Sequence, residues 1–179
     1  MNEGEEEITL QTIEDIRQFM INDLDKTIAL VNSCKGAPNF MLALALCCYT
    51  EFWGKLKAFP EEKKDKECFE SFFSELGEKY RYLIEHTNAS IWGNVRSQLV
   101  HLYGIKKHKG SVNDSRIVIE GGDCGIMYDN NAQTYTFCVR KYFEDFKFAV
   151  DNYIAELKAD PDKLNHAKNA LKHKKVRLL

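Results

Sequence analysis

A chain of 179 residues, 44% hydrophobic and 12% aromatic, has enough apolar side chain for one compact core and too little length for two, so a single domain over 1–179 is expected. Its 25 Lys and Arg against 27 Asp and Glu leave a net charge of -2, which excludes a bulk polycation that binds nucleic acid indiscriminately. Any nucleic-acid surface must be local.

The first residues are acidic (Glu3, Glu5, Glu6, Glu7), the opposite of the basic start of a secretory signal. The longest apolar run, Phe40 to Tyr49, is about half the roughly 20 residues a membrane-spanning helix needs. The expectation is a cytoplasmic protein with no membrane contact.

Taken along the chain, Ile13, Ile16, Met20, Leu24, Ile28 and Val31 recur at steps of three and four, which predicts an amphipathic helix over 9–32. After Gly36-Ala37-Pro38, the segment from Phe40 to Phe59 is apolar on all sides for its first half and predicts the central, most buried helix, stopped by Pro60. Phe69, Phe72, Phe73, Leu76, Tyr80, Leu83 and Ile84 predict a third helix that tolerates Gly77 as a weak spot. Asn88 is placed to cap a fourth, running through Ile91, Trp92, Val95, Leu99 and Leu102 to Gly104.

The period then changes. Residues of about 115–139 are β-branched and aromatic, punctuated by Gly121-Gly122-Asp123 and Asp129-Asn130-Asn131, and predict an antiparallel three-strand β-meander with two tight turns. Helical spacing returns from Phe143 to Leu157, and Asp160-Pro161 starts a last helix within a basic tail over about 160–179. The fold class expected is mainly α: an up-and-down helical bundle with a small inserted antiparallel three-strand meander.

Six cysteines, at 34, 47, 48, 68, 124 and 138, include no C-x-x-C pair, so the expectation is buried thiols acting as small hydrophobes and no metal site. Cys124 and Cys138, close on the predicted hairpin, are the one pair worth checking. Phosphate loops, dinucleotide fingerprints, nucleophile elbows and zinc-protease motifs are all missing, and no cofactor is implied.

What remains is the fourth helix, Asn94-Val95-Arg96-Ser97-Gln98-Leu99-Val100-His101-Leu102-Tyr103, which reads R-x-x-x-x-H-x-Y. On α-helical spacing Trp92, Val95, Leu99 and Leu102 face the core, while Arg96 and His101 lie off that stripe about 140° apart. Between them run Gly93, Ser97, Val100 and Gly104, a face of small residues that a second copy of the helix could approach closely. Lys106, Lys107 and Lys109 follow at once and could hold the phosphates flanking a scissile bond.

The motif and its helical setting resemble the HEPN superfamily, helical bundles with an Arg and a His at this kind of spacing. The resemblance implies a metal-independent endoribonuclease whose composite site, Arg96 and His101, is shared across a homodimer. It implies supporting roles for Ser97, which is polar but shorter than the Asn, Asp or His common there, and for Tyr103. In HEPN toxins with a nucleotidyltransferase partner, a Tyr at the place of Tyr103 can be adenylylated as an off switch, so an antitoxin or nucleotidyltransferase partner and a stress or defence setting are implied. The alternative is a catalytically inactive HEPN-like module that binds protein or RNA.

Overall fold

The computed structural model describes residues 8–31, 37–58, 64–86, 91–96, 116–120 and 124–174. Helix α1 (Leu10–Val31) starts where Thr9 and Thr12 exchange backbone-to-hydroxyl hydrogen bonds of 3.1 and 3.3 Å, which satisfies two amides at the open helix end. Its apolar stripe of Ile13, Ile16, Met20 and Leu24 is buried, as its period requires. Helix α2 (Ala37–Ala58) packs on α1, on the following helix and on both C-terminal helices, and is the central element its all-round apolar run predicts. It begins earlier than expected, because Pro38 is tolerated in a first turn whose amides have no helical partner.

The third predicted helix is two. Helix α3 (Asp65–Phe73) tightens into a 3-10 turn, Ser74–Leu76, and α4 (Glu78–His86) leaves in a new direction after Gly77. Gly77 has φ 137°, a conformation essentially closed to residues with a Cβ, so it is a corner and not a tolerated weak spot. The corner lets Phe69, Phe72, Phe73, Leu76, Tyr80 and Leu83 enter one core from two helices. Gly54 of α2 has a different task. A Cβ there would lie 1.9 Å from the Cys68 carbonyl oxygen, so glycine is what lets α3 lie against α2.

Residues Ile91–Arg96 form a π-helical turn; strands β1 (Arg116–Glu120), β2 (Ile126–Asp129) and β3 (Thr134–Cys138) follow. The hairpin β2–β3 is antiparallel, with Ile126 opposite Phe137, and Asp129 caps its turn by accepting from the amides of Asn131 and Ala132. The expected antiparallel meander is corrected. Strand β1 lies on the far side of β3 and runs parallel to it, giving the order β1-β3-β2, and only β2 and β3 pair antiparallel.

Helix α5 (Val139–Ala159) buries Tyr142, Phe143, Phe146, Val150, Tyr153 and Leu157. Helix α6 (Pro161–Lys174) opens as its sequence predicts, Asp160 accepting from the amides of Asp162 and Lys163 at 3.0 and 3.1 Å. One contiguous apolar cluster runs from Ile13 on α1 to Leu171 on α6, so the described part of the chain is mainly helical around one core with a small antiparallel strand pair at its side. Among the described residues no helix is long and apolar enough to cross a membrane.

The expectation of thiols throughout is also corrected. Cys124 and Cys138 form a disulfide with Cα atoms 5.6 Å apart, because the hairpin register sets Gly125 against Cys138 and leaves Cys124 just beyond the last pair. Cys47 and Cys68 are buried thiols, Cys48 is half-buried, and Cys34 lies outside the described residues.

Candidate functional site

Of the residues singled out around the motif, Arg96 and Gly93 fall among the described residues. Ser97, Val100, His101, Tyr103, Gly104, Lys106, Lys107 and Lys109 lie outside them. Gly93 is half-buried, within the π-helical turn.

The turn changes where Arg96 points. Its hydrogen bonds reach five residues back instead of four, so residue 96 returns towards the face of residue 91 rather than lying about 140° from it. Ile91 and Val95 are buried, and Arg96 is drawn the same way: its side chain is only 20% exposed and meets α2. The placement of Arg96 off the core stripe, expected from α-helical spacing, is therefore corrected.

There the guanidinium Nη2 lies 2.8 Å from Oε2 of Glu51, a carboxylate whose side chain is 7% exposed. The contact is a charge pair without hydrogen-bond alignment, since Glu51 Oε2 and Arg96 Nε are both buried and have no hydrogen-bond partner among the described residues. The guanidinium carbon sits 5.5 Å from the Trp92 ring centre, within cation–π range. The indole Nε1 of Trp92 is also buried without an acceptor among the described residues.

Glu51 is held from its other side. Lys55, one turn on along α2, donates to Oε1 and also pairs with Asp65 at the start of α3, at 2.7 Å. Asp65, Lys55, Glu51 and Arg96 thus alternate in sign along one row from α3 across α2 to the π-helical turn. Burial alone would lower the Lys55 ammonium, but its hydrogen bonds with Asp65 and Glu51 outweigh that and hold it above its ordinary value, so it stays a cation. Burial pushes the neighbouring Cys47 and Cys48 thiols up, against the pull of Arg96, which leaves them protonated and poor nucleophiles.

Sequence reasoning did not find Glu51. A signal was available: Ala43, Cys47 and Glu51 follow at four-residue steps along the buried stripe of α2, which puts a carboxylate where an apolar residue belongs.

A second polar cluster ties α4 to α5. Asp145 accepts from the Tyr80 hydroxyl and from Lys141, each at 2.6 Å, with Lys79 at 3.3 Å. Burial raises the Asp145 carboxyl, but the hydrogen bonds from Lys141 and Tyr80 and the Lys79 charge more than offset it and hold it below the usual range. Three donors from α4 and α5 converge on this one carboxylate, which suits a structural tie. A groove of about 510 Å³ between α1 and α5 carries two ion pairs, Arg17 with Asp151 at 2.6 Å and Glu14 with Lys158 at 2.7 Å. Among the described residues, Arg96 is the cation whose charge is balanced while a buried donor stays unused.

No family model matches this chain, and no curated protein or solved structure matches it.

Proposed function

We propose that this chain is a HEPN-like protein of a stress or defence system that cuts RNA without a metal, using Arg96 and His101 from two copies at a homodimer interface. The observation that carries the reading is the state of Arg96. Its guanidinium rests beside a carboxylate and an indole ring, its side chain is 20% exposed, and its buried Nε has no partner among the described residues; a planar cation held in this way suits phosphate oxygens once it turns towards them.

The chemistry assigns each residue a role. Cleavage needs a base for the 2′-hydroxyl, an acid for the leaving 5′-oxygen and a cation for the crowded phosphorane. Imidazole titrates near neutral pH and serves as base or acid, and Arg96 supplies the charge. One His per copy is too few for both proton transfers, so a second copy brings the second, approaching over Gly93, Ser97, Val100 and Gly104. Lys106, Lys107 and Lys109 hold the flanking phosphates, and a nucleotide attached to Tyr103 by a nucleotidyltransferase partner would compete for the same positive field.

A second reading, a catalytically inactive HEPN-like module that binds RNA or a protein partner, is favoured by one fact: the charge of Arg96 is already met by Glu51. Incubation with single-stranded RNA in chelator separates the two. The nuclease gives products ending in 2′,3′-cyclic phosphate, and the module leaves the RNA whole. Cleavage abolished by chelator, or 3′-hydroxyl ends, overturns the mechanism.

A further inference from the structure

The ion-pair row from Asp65 to Arg96 is built so that Arg96 can leave it. A buried carboxylate stripped of its only cation is costly, because the charge is then left uncompensated in a medium that solvates it poorly. Glu51 does not face that penalty. Its Oε1 accepts from Lys55 and its Oε2 faces Arg96, so one cation remains when the other departs. Lys55 in turn keeps Asp65 at 2.7 Å, which fixes the ammonium between two carboxylates.

The Arg96 end is the loose one. Its contact with Glu51 lacks hydrogen-bond alignment, its Nε–H has no acceptor among the described residues, and its side chain keeps 20% exposure. Charge attraction and the Trp92 ring hold the guanidinium in place, while its Nε–H is not tied down among the described residues.

We propose that Glu51 is a positioning residue that holds Arg96 beside Trp92 and yields it to a phosphate group, with Lys55 keeping the carboxylate compensated after the exchange. This rests on the reading that Arg96 meets RNA phosphate, and it adds how the cation is stored and released. Two ion pairs share one carboxylate before phosphate arrives; afterwards Glu51 pairs with Lys55 and Arg96 with phosphate, so the exchange leaves no buried charge alone.

The test follows the Arg96 side-chain Nε–H signal by nitrogen-15 NMR while inorganic phosphate is added to the full chain, with Arg96→Lys identifying the signal. In the wild type the signal should move saturably with phosphate. Glu51→Gln removes the competing charge and should shift the signal before any phosphate is added, then bring saturation at a phosphate concentration at least threefold lower. Lys55→Met keeps the apolar stem but removes the second cation, so Glu51 should grip Arg96 and saturation should need at least fivefold more phosphate. Glu51→Asp should fall between wild type and Glu51→Gln, and a melting curve on each variant checks that it is folded. Because Glu51→Asp and Lys55→Met each carry a directional expectation, a Glu51→Gln chain that does not fold still leaves the proposal open to refutation.

A wild-type signal that ignores phosphate, or one that responds identically in wild type, Glu51→Asp and Lys55→Met, overturns the proposal. RNA cleavage measured on the same samples keeps the two ideas apart. Phosphate exchange at Arg96 without cleavage supports the exchange and refutes the nuclease. Cleavage with an Arg96 signal indifferent to phosphate and to residue 51 overturns the exchange and leaves the nuclease.

Discussion

Gly54→Ala sets two effects of opposite sign against each other. Inside a helix alanine is favoured over glycine by about 1 kcal/mol, so propensity alone makes the substitution stabilising. The packing says otherwise. The new Cβ would lie 1.9 Å from the Cys68 carbonyl oxygen and 2.6 Å from its carbon, against 3.0 Å as the closest approach a real Cβ tolerates. The obstacle is the backbone of α3, which cannot turn aside as a side chain can, so the helix must retreat by more than 1 Å. That retreat loosens Phe69, Phe72 and Phe73, all buried, and the stacked contact of Phe72 on Trp53 with ring centres 6.4 Å apart. Adding a methylene to a filled core costs about 1–3 kcal/mol even where side chains can shift, and the upper end applies against backbone. Offsetting the propensity gain leaves a net loss of about 2 kcal/mol. Urea unfolding read by circular dichroism should show a lower midpoint at an unchanged slope. A midpoint equal to or above that of the wild type refutes the close-approach argument and leaves propensity in charge.

Two further outcomes follow from residues outside the candidate site. The Cys124–Cys138 bridge closes a loop of sequence separation 14, so Cys124→Ser should lower unfolding free energy by about 3 kcal/mol, and dithiothreitol should bring the wild type to the same midpoint; a midpoint insensitive to reductant means the bridge is absent in solution. The Asp145 carboxyl is held below its unfolded value, so its stabilisation is fully present above about pH 4 and is lost as pH falls through the lower folded value. Asp145→Asn should flatten that acid limb of a stability–pH profile, and an unchanged limb contradicts the assignment.

Local rules made much of this fold legible. The steps of three and four in α1 and α5, the apolar run of α2 and the Asp160-Pro161 start of α6 are written in adjacent residues, and they appear as read. What could not be read depends on partners far apart in the chain. Strand β1 pairs with β3 rather than with its neighbour β2, and strand alternation alone does not fix which edges meet. Gly77 looks like any helix-interior glycine until its φ is known. An α-helical wheel sets Arg96 off the core stripe, whereas the π-helical turn brings it onto Glu51, a residue 45 positions earlier that nothing near the motif indicates.

The proposed site requires Arg96 and His101 to act as one unit on a phosphodiester. It is tested most directly by single-turnover cleavage of one RNA, in chelator, by wild type, Arg96→Ala, His101→Ala and the double variant. Groups that act together are strongly non-additive: each single change should slow cleavage by a factor on the order of 100 or more, and the double change by little more than the worse single one. Wild-type protein that leaves the RNA intact, or either single variant cleaving at the wild-type rate, contradicts the account.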